Sequence, residues 1–297
     1  MVNNFQKKYF VWFIQGGLGK NVAATALLKT LKQTYSDREI ILVVSWPQVF
    51  LNNPYIDRVY NASNIPYFYE TYIENKDVII CNHEPYHQTG HITKQKHLLE
   101  NWCDLLKIKY TNQYPELFYN YAEQKAYQQG TPSKPILLIN TGGGPLDEKA
   151  AYNWTRDIPI EFAQEIINKY SSTHNIIQVT RPNGYKLDHP SVKVINEPMA
   201  NLNLFALLQN TSKRILIDSC LQHAAAALKL PSTVLWVGTS PIVFGYKQHQ
   251  NIIAGLPKRA HQLIDSALFD YQFANNEYQC PYMDINEIFS REILNNI

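Results

Sequence analysis

Five short runs of this chain, Glu39–Val44, Asp77–Cys81, Ile136–Asn140, Arg214–Ile217 and Thr233–Val237, are apolar at nearly every position. A strand with one wet face alternates polar and apolar residues; these do not, so both of their faces must be covered. Strands buried on both sides belong to parallel sheets with helices on each face. The stretches between the runs have the matching helical spacing. Val22, Ala26, Leu27 and Leu31 fall on one face, as do Leu98, Leu99, Trp102, Leu105 and Leu106 within a helix read over 92–107. Alternating strands and helices make this an α/β chain.

The pattern runs twice. The first series comprises strands at Tyr9–Ile14, Glu39–Val44, Arg58–Tyr60 and Asp77–Cys81, with helices at Val22–Leu31, 92–107 and Glu116–Gln128. Gly130–Pro135 then interrupts both helix and strand and reads as a linker. The second series has strands at Ile136–Asn140, Asn175–Val179, Val192–Ile195, Arg214–Ile217 and Thr233–Val237. Its helices are expected at Ile160–Tyr170, Asn201–Leu208, Leu221–Leu228 and Ile285–Leu294. With 297 residues, and roughly 100–200 per domain, two domains are expected. They are read as two Rossmann-like, doubly wound parallel-sheet domains, 1–130 and 131–297, facing across a cleft. The last helix, 285–295, is expected to pack back on the first domain, and the linker to act as a hinge.

Composition excludes several classes. The net charge of +2 and the absence of like-charge blocks argue against nucleic-acid binding. The four cysteines, Cys81, Cys103, Cys220 and Cys280, lie far apart without metal spacing, which points to a reducing cytoplasm. No run of about 18 apolar residues exists, so no transmembrane span is expected. Peripheral membrane association stays open.

Ligands of such folds sit beyond the carboxyl ends of the strands. Three loops therefore matter. After Ile217 come Asp218, Ser219, Cys220 and His223, leading into Ala224–Ala227. Ser219 can cap the helix, whose free N–H groups and dipole can hold a phosphate. His223, one turn in, leans back towards the same end. After Asn140 come Thr141, Gly142, Gly143 and Gly144, whose backbone can approach a ligand closely; Lys149, Arg156 and Arg181 are cations suited to a diphosphate.

After Ile14 comes Gln15-Gly-Gly17-Leu-Gly19-Lys20-Asn21, which resembles a P-loop. Asn21 stands where a magnesium-binding hydroxyl is needed, so a deviant P-loop ATPase is a minor alternative. His83-Glu84-Pro-Tyr-His87 matches the zinc pattern His-Glu-x-x-His, but Pro85 opposes the required helix. Its polar side chains still lie at a strand's carboxyl end.

The segment 214–241 resembles the family 9 glycosyltransferases, which include the lipopolysaccharide heptosyltransferases. Their strand, Asp-(Ser/Thr)-Gly, two residues, His, Ala-rich helix, Pro and apolar strand ending in Gly-Pro-(Thr/Ser) are matched at Asp218, Ser219, His223, Ala224–Ala227, Pro231 and Gly238–Pro241. Looser similarity extends to Leu51–Val59, Trp154 with Ile160–Tyr170, and Cys280–Ile285. The resemblance implies a GT-B fold. It also implies transfer of a sugar from a nucleoside-diphosphate sugar to a glycan or other acceptor, with inversion and without a metal or other cofactor. Thr141, Gly142, Gly143, Gly144, Lys149, Arg181, Asp218, Ser219, Cys220 and His223 would line the donor site. Gly17, Gly19, Asn21 and His87 would face the acceptor.

Two departures stand out. Cys220 occupies the family's Gly position, and Lys20 that of its basic Asp. An ordinary lysine is neutral in roughly one molecule in a thousand or fewer at pH 7, so Lys20 is a poor base and a better anion holder. Glu84 and His83 are the alternative bases. A nucleotide-sugar- or glycan-binding protein without catalysis is the other reading.

Overall fold

A computed structural model of the chain describes residues 7–93, 95–119, 134–143, 153–197, 199–254 and 288–297. The first sheet contains β1 (Lys8–Ile14), β2 (Glu39–Val44), β3 (Arg58–Asn61) and β4 (Asp77–Cys81), in the order β3-β2-β1-β4 and all parallel. Its registers pair Tyr9 with Glu39 and Lys8 with Asp77. The apolar runs have the predicted cause. Phe10, Trp12 and Ile14 of β1 join one buried cluster with Val22, Leu28 and Trp102, while Tyr9 and Val11 join another with Phe68 and Tyr72. Each such buried side chain contributes about 1.5–3 kcal/mol relative to exposure.

The helical segment after β1 starts at Leu18, earlier than the spacing predicts. It runs as α1 (Leu18–Ala24), one tight 3₁₀ turn at Thr25–Leu27, and α2 (Leu28–Thr34). The Thr25 hydroxyl bonds back to the Val22 carbonyl at 2.7 Å and accepts the Glu116 N–H at 2.9 Å, which fixes the tightened turn. After β3, α3 (Phe68–Tyr72) covers the second face of the sheet. The helix expected over 92–107 is α5 (Leu98–Leu106), which starts later than expected; α4 (Thr89–Ile92) is a separate turn before it. His97 caps α5 by accepting the Leu99 N–H through Nδ1, and Lys107 ends it in the left-handed region. Of the helix expected over Glu116–Gln128, residues 116–119 are not helical and the rest lies outside the described residues. Residues 130–133 of the linker also lie outside them.

The second sheet contains β5 (Ile136–Asn140), β6 (Asn175–Val179), β7 (Val192–Ile195), β8 (Lys213–Ile217), β9 (Thr233–Trp236) and β10 (Gln250–Ile253). Its order is β10-β9-β8-β5-β6-β7, again all parallel. Helices α6 (Ile160–Tyr170), α7 (Asn201–Gln209), α8 (Cys220–Ala227) and α9 (Pro241–Phe244) connect its strands. Strand β10 was not foreseen, because its sequence, Gln-Asn-Ile-Ile, is half polar and sits at a sheet edge.

The described part of the carboxyl-terminal segment corrects one expectation. Helix α10 (Arg291–Asn295) packs on the second domain, not the first. Ile288, Phe289 and Ile297 are buried in that domain's core, and Phe289 stacks on Phe162 with ring centres 4.8 Å apart. Lys169 donates to the Leu294 carbonyl at 2.7 Å. Among the described residues, no helix is long and apolar enough to cross a membrane.

The two sheets are joined by one continuous apolar cluster. It includes Trp12, Leu27 and Trp102 from the first unit and Leu138, Ala224 and Trp236 from the second. Helices α1 and α8 pack directly against each other at its centre. His97 Nε2 adds a bond to the Gly245 carbonyl at 3.0 Å.

Candidate functional site

Each sheet reverses its winding between two neighbouring strands: β1 and β4 in the first, β5 and β8 in the second. Loops leaving such a pair diverge and open a crevice. Here the two crevices face each other across a cavity of about 1160 Å³, lined from both domains.

On the first wall, the loop after β1 is only Gln15–Gly17, and α1 begins at Leu18. Lys20 therefore lies in the first turn of the helix. Its ammonium pairs with the Glu84 carboxylate, which is delivered by the loop after β4. The Lys20 side chain is 8% exposed. It also sits 5.2 Å from the Tyr86 ring centre and 5.9 Å from that of Trp102. Glu84 gives Oε2 to this pair; its Oε1 is buried without a hydrogen-bond partner, while the side chain as a whole is partly exposed and lines the cavity.

Asn21 is fully buried and turns its amide back to the Gly17 carbonyl at 3.0 Å, outside the cavity lining. The short loop and this inward amide give no support to a phosphate-cradling P-loop. His83 and His87 are exposed and do not line the cavity. Pro85–His87 is one 3₁₀ turn, so the His-Glu-x-x-His pattern does not lie on a helix. No group of three metal-ligating side chains occurs among the described residues.

On the opposite wall, Ser219 does two things. Its hydroxyl accepts the Leu221 N–H at 3.2 Å, capping α8, and donates to Asn140 Oδ1 at 2.6 Å. Asn140 in turn donates to the carbonyls of Gly142 at 3.0 Å and Val179 at 3.1 Å. The helix start after β8 is thus tied to the glycine loop after β5. Gly143 lies so close that a Cβ would come within 3.3 Å of the Ser219 Cβ. Gly142 and Gly143 line the cavity. Thr141 does not: it is fully buried and accepts the Gln178 amide at 2.8 Å. Gly144 and Lys149 lie outside the described residues.

Arg181 lines the cavity but is engaged. It pairs with Asp157 and donates to the Gly143 carbonyl at 2.8 Å, bracing the glycine loop. Asp218 is buried, with its Oδ2 3.6 Å from Arg156 Nε. The partly exposed Arg156 is held beside the start of α8 by that contact.

His223 is buried at the cavity edge, and its Nδ1 shares a 2.8 Å hydrogen bond with the Tyr246 hydroxyl. Burial first, then the neighbouring His97, His249 and Arg156, push its pKa down to about 3, so the ring is neutral at pH 7. Burial pushes the Cys220 thiol up to about 11, which keeps it protonated. The two walls meet at Gly19, which lines the cavity as Gly17 does. A Cβ on Gly19 would stand 3.0 Å from the His223 ring and 3.1 Å from the Cys220 Cα.

Sequence reasoning overlooked Trp46, Tyr86 and Asn140, all in the lining. Trp46 and Asn140 stand at or just past strand carboxyl ends, the one positional signal that marks them. Tyr86 lay hidden inside the zinc-like pattern.

Solved structures share this architecture. A glycosyltransferase family 9 protein from Veillonella parvula aligns with 100% of this chain over 97% of its own, at a TM-score of 0.68 and 13% identity. The iron-containing dodecameric glycosyltransferase TibC from enterotoxigenic E. coli aligns with 98% of this chain over 75% of its own, at a TM-score of 0.68 and 12% identity. The E. coli heptosyltransferase WaaC, solved with ADP, aligns with 90% of this chain over 99% of its own, at a TM-score of 0.55 and 16% identity. No protein-family model and no curated protein sequence matches the chain. At these identities the likeness establishes the fold: a GT-B α/β architecture of two parallel-sheet domains across a cleft.

Proposed function

We infer that this chain is a glycosyltransferase that moves a sugar from a nucleoside-diphosphate sugar to an acceptor hydroxyl. The observation that carries the reading is the placement of Glu84. Its carboxylate, paired with Lys20 and partly exposed, stands on one wall of a cavity whose other wall is the capped start of α8. ADP and an ADP-heptose are bound by structural neighbours of this chain, which supports a nucleotide sugar as the donor.

In this reading the donor lies on the second domain, with its diphosphate at the glycine loop and the N–H groups of the α8 start. Arg156 would offset the negative charge that builds on the leaving group, with no metal required. The acceptor oxygen attacks the anomeric carbon from the first-domain side. The bond from that carbon to the diphosphate oxygen breaks, and its electron pair leaves with the nucleoside diphosphate. The hydroxyl proton passes to the Glu84 carboxylate. Attack opposite the leaving group inverts the anomeric centre. Lys20 positions Glu84 and keeps a positive charge beside it; His83, exposed and off the cavity, has no part. The free thiols of Cys81, Cys103 and Cys220 suit the reducing cytoplasm that this reading assigns.

Calorimetry with a panel of nucleotide sugars, followed by a transfer assay, tests the proposal. Binding of at least one donor is expected, with Glu84→Gln retaining that binding and losing turnover. Absence of binding across the panel overturns it. Binding with neither transfer nor donor hydrolysis would favour a carbohydrate-binding protein instead.

A further inference from the structure

The acceptor side of the cavity has an unusual charge balance. Among the described residues its charged side chains are Lys20 and Glu84, and these neutralise each other. The other cations in the lining, Arg156 and Arg181, belong to the opposite wall. Among the described residues, a phosphorylated or carboxylated acceptor would thus lose water on this wall without gaining a free positive partner.

The same wall carries a fixed aromatic ring. Trp46 follows β2 and is 37% exposed at the cavity. Its indole N–H donates to the Gly16 carbonyl at 3.0 Å. Its neighbour Ser45 accepts the Gly16 N–H through its hydroxyl at 3.1 Å. Gly16 sits at φ 109°, a conformation that a side chain would strain, so this double attachment depends on glycine. The polar edge of the indole is satisfied within the protein, which leaves its apolar surface for a ligand. A rigid aromatic surface with a few polar groups around it is suited to an amphipathic, uncharged ring.

We propose that the acceptor is an uncharged carbohydrate, stacked on Trp46 with its reactive hydroxyl directed at Glu84. The proposal rests on the glycosyltransferase reading and adds the acceptor class. Trp46 sets acceptor choice and takes no part in donor binding.

The test uses the full-length protein, saturated with the nucleotide found by calorimetry, on an array of neutral, phosphorylated and carboxylated oligosaccharides. Neutral oligosaccharides should bind, with roughly five- to tenfold weaker binding in Trp46→Ala and near-normal binding in Trp46→Phe. Nucleotide affinity should be unchanged in both variants, which also shows that they fold. Selective binding of the anionic sugars, or of none, overturns the proposal while leaving the donor reading intact. So does a loss of nucleotide affinity in Trp46→Ala, which would make the ring a base platform. Failure of wild-type protein to bind any nucleotide removes the glycosyltransferase reading itself.

Discussion

Gly19 in the first domain and Cys220 in the second meet so closely that a Cβ on Gly19 would stand 3.1 Å from the Cys220 Cα. This contact is between the first turns of α1 and α8, the two helices that begin at the cavity. Backbone on the Cys220 side cannot swing aside as a flexible side chain can.

Gly19→Ala should therefore push the two walls apart. Overpacking of this kind costs about 1–3 kcal/mol. A lower denaturant midpoint and weaker transfer are expected together. Gly17→Ala is the internal control, because nothing lies within 4 Å of its added Cβ. Equal effects from the two substitutions would show that the interdomain contact is not the cause.

Glu84→Gln keeps the shape of the side chain and removes its capacity to take a proton. Turnover should fall by about 10²–10⁴, the usual range for general-base assistance. Donor affinity by calorimetry should hold. Lys20→Met should lower turnover less, because it removes the partner of Glu84 and not the carboxylate.

Ser219→Ala should do more than remove a helix cap. It breaks the cap to Leu221 and the 2.6 Å bond to Asn140 that ties α8 to the glycine loop. The stability loss should be about 1–2 kcal/mol by chemical denaturation. Nucleotide affinity should fall in the same variant, since both halves of the proposed diphosphate site lose their link.

The buried histidines predict an acid-side weakness. His97 is held down to a pKa of about 4 and His223 to about 3, both chiefly by burial. An unfolded histidine titrates near 6.5. Between about pH 6.5 and these folded values the unfolded chain binds more protons, so stability rises with pH there and is lost as pH falls. The slope is up to about 1.4 kcal/mol per pH unit for each group. His97→Asn retains a capping side chain without the titration and should flatten the fall in urea midpoint between pH 7 and 5.

Much of the scaffold could be read from the chain alone. Ile136–Asn140, Asn175–Val179, Val192–Ile195 and Ile160–Tyr170 have the bounds their patterns predict. Continuous apolar runs and strong helical spacing leave little choice at these places. Edges and breaks were harder. Strand β10 gains its identity from pairing with β9, and the helix expected over 92–107 starts only at Leu98, where His97 caps it. In the site, the α8 start was visible as a local strand-to-helix junction. The Lys20–Glu84 pair was not visible as a pair, because its members are 64 positions apart and only the β1–β4 adjacency joins them. Trp46 was hidden for the same reason: it depends on a loop-to-loop bond to Gly16.

The apolar cluster that runs from Trp12 and Trp102 through to Ala224 and Trp236 has a thermodynamic consequence. Neither domain can unfold alone without exposing its partner's share of that surface to water. The two sheets should therefore melt as a single cooperative unit, with one calorimetric transition whose van't Hoff enthalpy matches the measured heat.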